Sequence, residues 1–564
     1  MGAHFSLHPD VLETTTPPSI LNDVFGPTMI GPSSSHTGAA YRIGRLCRDL
    51  LGGQITRLTA RYNRGTALAN THVGQGTDRG LYGALLGWPI VDARMRQFEH
   101  EIAQCLEEAG IDVTVEYPDL GSTHASFYDL TIGNGTGETS EEHRVEAVST
   151  GGGMFKILRI DDAPVRIEGD YHELLVYCAS GDDVESLERL LREHPATESV
   201  DLCRSERALF FNVKGVAAFH QDFVVELEAR SEVDRVKALS PVLPTLSRQN
   251  LEVPFLTASD MLRSAREGGE ELELWQLALR YESARGGVSE AEVWQKMSDV
   301  ADLMRRSIDE GLAGTDYADR LLPAHATLAS KAIERGRVAD DVVAKMILYT
   351  TAIMDTKSAM GVFVAAPTAG SCGTTPGAIF GFADHHGHSQ DEIVRALLAA
   401  GLIGVFIASG STFSAELAGC MAETGASGAM AAAGLVTLQG GDLHQALTAA
   451  GVTIETGLGL ICDMVADRVE APCLAKNVAG VMRAHGAAIT SLMGFAAVIP
   501  IDEAIQAMDR VGRLMPDSVC CTGGEGLCAS CTGRRLHHQM VELPIAKRPP
   551  GSLLPKSHEV EETV

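Results

Sequence analysis

The sequence is short of aromatic residues, of positive charge and of long apolar runs. Its 564 residues include three tryptophans and only 5% aromatics, against 58 glycines. That balance points to tight turns and close backbone packing rather than an aromatic-lined binding surface. Lys+Arg number 46 against 74 Asp+Glu, a formal net charge of −28. Such a surface repels phosphate backbones and anionic lipid, so neither nucleic acid nor a membrane is expected as a partner. The longest apolar run, Ala396 to Ser409, is too short to span a bilayer and reads as a buried helix. Met1 to Asp10 lacks a basic stretch followed by an apolar one, so no secretory leader is expected and the chain is placed in the cytoplasm. The start Met1-Gly2-Ala3-His4-Phe5-Ser6 fits the myristoylation pattern, a short one that chance often matches. No internal repeat is visible.

What is present is ordinary for a soluble globular chain: 45% hydrophobic and 21% charged residues. The length exceeds what one core supports, and two to four domains are expected. Twelve cysteines without an export signal suggest thiols, metal ligands or a cluster rather than a disulfide frame.

Up to about Val165, strand-like runs (Ile55 to Tyr62, Val113 to Tyr117) alternate with helical ones (Ala40 to Leu51, Met95 to Glu108), which predicts an α/β domain. From Glu168 to Ala218 the pattern reads strand (His172 to Cys178), helix (Asp182 to His194), then two strands (Val200 to Cys203, Ala208 to Val213). This order resembles the start of an ACT-type regulatory domain, which implies an amino-acid effector; a plain linker domain supporting dimerisation reads equally well. Leu239 to Pro254, with Pro241, Pro244 and Pro254, is the interdomain linker. Apolar helical faces follow at Ala258–Tyr281, Glu290–Glu310, Val342–Met360, Gln390–Ile407 and Leu443–Asp467. The predicted fold is therefore an α/β (α+β) N-terminal domain (1–165), an ACT-like insert (166–240), a large all-α domain (255–535) and a disordered tail (536–564).

Three features could carry chemistry. In Gly31-Pro32-Ser33-Ser34-Ser35-His36-Thr37-Gly38, hydroxyls and free amides gather at the start of a helix, which suits a carboxylate, and His36 could move a proton. A capping cluster with an exposed histidine explains the same residues. Ala366 to Gly377, containing Thr368, Ala369, Gly370, Ser371 and Cys372, is a loop of small and hydroxyl residues flanked by apolar segments; small side chains admit a ligand close to the backbone, and a packed helix–helix turn is the plainer reading. Cys420, Cys462 and Cys473 are spaced 42 and 11 apart, which matches neither a ferredoxin nor a zinc finger, so spacing alone favours buried structural thiols. Among Cys520, Cys521, Cys528 and Cys531, the pair Cys528-Ala529-Ser530-Cys531 has C-x-x-C spacing, but no second pair or histidine completes a zinc site.

Taken together the blocks resemble the iron–sulfur-dependent bacterial L-serine dehydratases. The resemblance rests on Ser33–Thr37, Gly74-Gln75-Gly76-Thr77-Asp78-Arg79, Ser149-Thr150-Gly151-Gly152-Gly153, Ala366–Gly377, Ser414-Ala415-Glu416 through Cys420, Glu423, Gly425 and Met430–Gly434, and Leu460–Asp463 through Pro472-Cys473 and Asn477. It implies a single chain that joins a β-type domain, an ACT-like insert and an α-type domain. It also implies a [4Fe–4S] cluster on Cys420, Cys462 and Cys473, with one iron free to act as a Lewis acid on a β-hydroxyl. Ser33, Ser34, Thr37, Thr368, Ala369, Gly370 and Ser371 would then hold the carboxylate and ammonium of an amino-acid substrate. Ser35 and His36 would be catalytic, His36 as the base, and subunit association follows by analogy.

Five positions depart from the family pattern. Val73 and Gln75 stand where a lysine and a histidine are common, Ala369 where asparagine is frequent, and Thr456 where a histidine often stands; Gly428 replaces a common cysteine. These departures bear on the substrate, leaving cysteine, threonine or another β-substituted amino acid as alternatives to serine. Some relatives end in a cysteine that caps the free iron, a role only Cys520, Cys521, Cys528 or Cys531 could take here. A non-catalytic amino-acid sensor is the remaining alternative; pyridoxal phosphate chemistry has no Schiff-base lysine to recommend it.

Overall fold

The computed structural model describes residues 16–542, except 27, 98, 123, 136–139, 180–183, 250, 270–271 and 522–523. The order is sheets first, helices after. A short strand β1 (Thr28–Ile30) precedes β2 (Arg57–Tyr62), β3 (Asp112–Glu116), β4 (Phe127–Asn134), β5 (Glu141–Gly151), β6 (Met154–Ile160) and β7 (Ala163–Ile167). The last six form one sheet in the order β3-β2-β4-β5-β6-β7, parallel at β2/β3 and antiparallel elsewhere. Leu58, Ala60 and Tyr62 alternate inward along β2, as a half-buried strand requires. Ile43, Leu46, Cys47 and Leu50 form the matching helical stripe on Ala39–Leu50, in the same core.

β8 (His172–Cys178), β9 (Thr197–Arg204), β10 (Leu209–Gly215) and β11 (Val233–Leu239) make a second, antiparallel sheet ordered β11-β8-β10-β9. Leu174, Val176, Phe211 and Val213 share a core with the helices Val184–Glu193 and Gln221–Glu228. Leu175, Tyr177 and Phe210 point the other way, into the core of the first sheet. The helix Gln221–Glu228 and strand β11 complete a pattern of which the sequence showed only the first half. β11 reads Val-Asp-Arg-Val-Lys-Ala-Leu and is fully buried only at its two ends, so no alternation announces it.

The remaining chain is helical. Gln390–Gly410 is long and apolar enough to cross a membrane by length and composition, and 78% of its most apolar window is buried inside the protein; it is the core helix the sequence suggested. Four expectations need correction. Ala258–Tyr281 is two helices, Ala258–Gly268 and Leu274–Gly286, because Gly269 takes a left-handed φ of +64° and ends the first. The helix expected over Leu443–Asp467 stops at Glu455, and Cys462 lies in extended chain beyond it. The tail expected from residue 536 is ordered to 542: the helix Cys531–His537 and the turn after it bury Leu536 and Met540 against Leu321 and Ala466. Residues 543–564, like the Met1–Ser6 pattern, lie outside the described residues. The boundary at residue 1 of the α/β unit also moves. Ile20, Leu21, Val24, Phe25 and Met29 belong to the helical core. Ser19 Oγ and Ile20 N donate to the buried Glu282 at 2.5 and 2.7 Å, and β1 pairs antiparallel with Val362–Val364. This crossing lays the Ser33–Thr37 segment beside the helical unit.

Candidate active site

The two hydroxyl segments meet. Ser34–Gly38 is one turn of π-helix running directly into Ala39–Leu50, so the hydroxyls sit inside the first turn rather than in a loop ahead of it. Ala369 N donates to Ser34 Oγ at 3.1 Å, joining this turn to the Thr368–Ser371 segment. Thr368 and Ser371 bond each other at 3.1 Å, and Thr368 Oγ1 donates to Glu423 Oε1 at 2.5 Å. Gly370 is required at its place, since a Cβ there would fall 2.5 Å from Glu423 Oε1. Thr37 Oγ1 donates to Gln75 O at 2.9 Å. Ser35 Oγ makes no hydrogen bond among the described residues.

His36 is fully buried, with Nδ1 3.2 Å from Ser33 Oγ and Nε2 3.1 Å from Thr71 Oγ1. Burial lowers its pKa to about 4, with Glu416, 3.8 Å from Nδ1, opposing and His72 assisting. The imidazole is neutral near pH 7 and enclosed, which replaces the exposed capping histidine considered from the sequence.

The thiols converge from three segments. Gly419 (φ +62°) lets the chains cross: a Cβ there would lie 2.8 Å from Leu460 O, and Met421 N donates to that carbonyl at 2.9 Å. Cys420 and Cys462 are thereby brought together, and their sulfurs with one oxygen of Glu423 all lie within 4.8 Å of one another. Cys473 starts the helix Cys473–Leu492, which Asn477 ties to the Thr368 segment by donating to Gly370 O at 2.7 Å. Its thiol is pushed above the ordinary range by burial and by Cys420. Cys420 is held well above its range by its contact with Cys462 and by burial. Glu423 is raised by burial to about 7. Burial works against the Lys476 ammonium, yet Cys420 and Asp463 outweigh it and keep it charged; Nζ donates to Asp463 Oδ1 at 2.6 Å and reaches Cys420 Sγ at 3.7 Å.

A fourth thiol joins them. Cys462 N donates to Val519 O (2.8 Å) and Cys521 N to Cys462 O (3.1 Å), a bridge that seats Cys521 in a left-handed conformation (φ +63°). Its thiol bonds Cys462, and Gln75 Nε2 lies 3.8 Å from its sulfur. Cys531, by contrast, is exposed. Of the five departures, Gln75 and Ala369 are buried at the site and Gly428 is buried within the helix Ala426–Leu438, whereas Val73 and Thr456 are exposed on the surface. Thr71 and Lys357 were not named from the sequence, and Glu416 only as part of a resembling block, with no role given. Glu416 and Glu423 flank Cys420 at i−4 and i+3, a helical spacing that could have signalled a shared face. Lys357 left no such sign; it is wholly buried in Val342–Ser358 and donates to Val469 O.

Residues 269–528 match the family described as serine dehydratase alpha chain. The chain is 34% identical over 247 residues to the probable L-serine dehydratase alpha chain of Bacillus subtilis, covering 44% of this chain and 82% of that one. It is 32% identical over 288 residues to the L-serine dehydratase alpha chain of Peptoniphilus asaccharolyticus, covering 51% and 98%. The chain is also 34% identical over 154 residues to the probable L-serine dehydratase beta chain of Bacillus subtilis, covering 27% of this chain and 66% of that one. With alpha-type and beta-type parts in one polypeptide, the chain belongs to the L-serine dehydratase family.

Proposed function

We propose that this chain removes water and then ammonia from L-serine, giving pyruvate, and that a [4Fe–4S] cluster on Cys420, Cys462 and Cys473 is its cofactor. The observation that carries the reading is the meeting of buried, undisulfided thiols and Glu423 beside two hydroxyl segments. The donor set fits the group: soft sulfur ligands suit iron–sulfur chemistry, and burial otherwise holds these thiols protonated. Three cysteine ligands would leave one iron free; Cys521, whose thiol bonds Cys462, would be the residue to cap that iron until substrate displaces it. When bound, the cluster would supply a Lewis acid for the substrate hydroxyl.

The rest falls to the chain's own side chains. Ser33, Ser34 and Thr37 on one side, and Thr368, Ala369, Gly370 and Ser371 on the other, bind and orient the carboxylate and ammonium, with Ser35 Oγ free to contact substrate. His36, neutral at working pH, takes the α-proton once one ring nitrogen exchanges its hydroxyl partner for substrate. Loss of the β-hydroxyl leaves an enamine, which tautomerises and loses ammonia in water. The four-stranded β8–β11 unit, antiparallel with two helices on one face, supports an ACT-like reading with an amino-acid effector.

The test is anaerobic purification followed by iron and sulfide analysis, an absorption spectrum with and without L-serine, and a pyruvate assay. Iron-loaded protein that turns over serine is expected. Turnover confined to cysteine or threonine would keep the fold and reassign the substrate; colourless, iron-free protein after reconstitution would sink the cofactor assignment.

A further inference from the structure

A cavity of about 300 Å³ lies where the C-terminal segment packs on the turn after Cys462, lined by Ala466, Asp467, Gly524, Cys528, Arg534 and His537 among others. It is joined to the thiols through Asp463, whose Oδ1 accepts from Lys476 and whose Oδ2 accepts from Leu527 N at 3.0 Å. From this cavity we infer a second small-molecule site, for an α-amino-acid zwitterion, with Asp467 taking the ammonium and Arg534 the carboxylate.

Asp467 carries the argument. Its side chain is 7% exposed, yet it makes no hydrogen bond to any described residue; the nearest ionisable group is His537, with Nδ1 at 3.6 Å, and Arg468 acts on it at longer range. Buried carboxylates almost always find donors, from protein or from water; with none supplied by the protein, the Asp467 oxygens are left for whatever occupies the cavity they line. The backbone supports this. Ala466 and Asp467 are successive non-glycine residues at φ +55° and +53°, a sparsely populated conformation that concentrates at ligand clamps. Burial holds the Asp467 carboxyl above its ordinary range, as an undersatisfied acid requires.

Arg534 supplies the opposite charge. Its Nε donates to Ala529 O at 2.9 Å, and its two terminal nitrogens make no bond to a described residue. That leaves the planar fork that pairs with a carboxylate through two parallel bonds. The volume lies at the low end for ligand sites. Asp467, His537 and Cys528 are also zinc-ligand types, but a guanidinium on the same wall disfavours a bare cation.

Isothermal titration of the holoenzyme with L-alanine, which has no β-hydroxyl to lose, tests the site. We expect Asp467→Asn and Arg534→Gln each to remove one L-alanine per chain, or weaken it at least tenfold, while ethylamine and propionate bind far more weakly than L-alanine. L-alanine should also slow hydrogen exchange over residues 524–537 in the wild type and not in the variants. Unchanged stoichiometry and affinity in Arg534→Gln, an exposed change that spares the fold, overturns the assignment even if Asp467→Asn proves unstable. So does zinc binding at one per chain without L-alanine binding. The inference is independent of the serine reading, which stands or falls on pyruvate formation.

Discussion

The hydroxyl segments and the thiol group adjoin, yet they are bonded by different kinds of atom. On the hydroxyl side, Ser33 meets His36, Ser34 receives Ala369 N, Thr37 reaches Gln75 O and Thr368 donates to Glu423, all at 2.5–3.2 Å. On the sulfur side the contacts are long: 3.7 Å from Lys476 to Cys420, 3.9 Å from Cys420 to Glu423 and 3.8 Å from Gln75 to Cys521. One wall is rigid and finished by the protein alone. The other collects thiols that touch one another and Lys476 and Glu423 at separations ordinary for sulfur. A fixed hydroxyl frame is suited to a polar ligand without reorganisation, while clustered soft sulfur atoms are suited to a metal centre.

Changes on the sulfur side should therefore remove function at little cost to folding, and changes on the hydroxyl side should do both. The largest effect is expected from Cys462→Ser: iron content and pyruvate formation both fall to background, with the unfolding midpoint of the metal-free protein hardly moved. A merely structural thiol would show the reverse. Next is Gly370→Ala, which drives a Cβ against the Glu423 carboxylate; at least a hundredfold loss in kcat/KM is expected, and restoration by Glu423→Ala in the double variant would show the clash to be the cause.

His36 gives a pH-dependent effect. Its folded pKa, about 4, lies below the ordinary 6.5, so the unfolded chain binds the extra proton and stability falls as pH drops from 6.5 to 4, levelling off below. The shift corresponds to about 3 kcal/mol in total. Glu423 and Glu173, both raised to about 7 by burial, act oppositely, stabilising as pH falls from 7 towards 4.5. Comparing His36→Gln with wild type isolates the histidine: urea midpoints of the variant should decline less between pH 6.5 and 4, and parallel curves would refute the buried neutral imidazole. The smallest effect is expected from Ser34→Ala, which leaves Ala369 N without its acceptor. That costs about 1–3 kcal/mol, seen as a lower unfolding midpoint and a raised KM for serine with kcat less affected.

The legible parts of the fold were those with a strong local period. β2, β8, β9 and β10 were read from their apolar runs, and Gln390–Gly410 from its continuous apolarity. β11 was lost because charges interrupt it, and the end of the helix at Glu455 because Thr456 and Gly457 stop it with no proline to mark the place. At the site, Ser33–Thr37 and Thr368–Ser371 stood out as hydroxyl runs, but Glu416 and Lys357 look like any surface charge until burial is known.

The sequence by itself determined the class of chain, the hydroxyl runs and, through block resemblance, which three cysteines to watch. Those are local matters, set by residue type and spacing. Only the tertiary structure decided that Cys521 is the fourth thiol, that His36 is enclosed and neutral, and that Val73 and Thr456 face outward while Gln75 does not. The reason is physical: burial and proximity arise when segments hundreds of residues apart pack together, as Ser34 does on Ala369 and Gln75 on Cys521. The desolvation that shifts a histidine or a thiol exists only once that packing has formed.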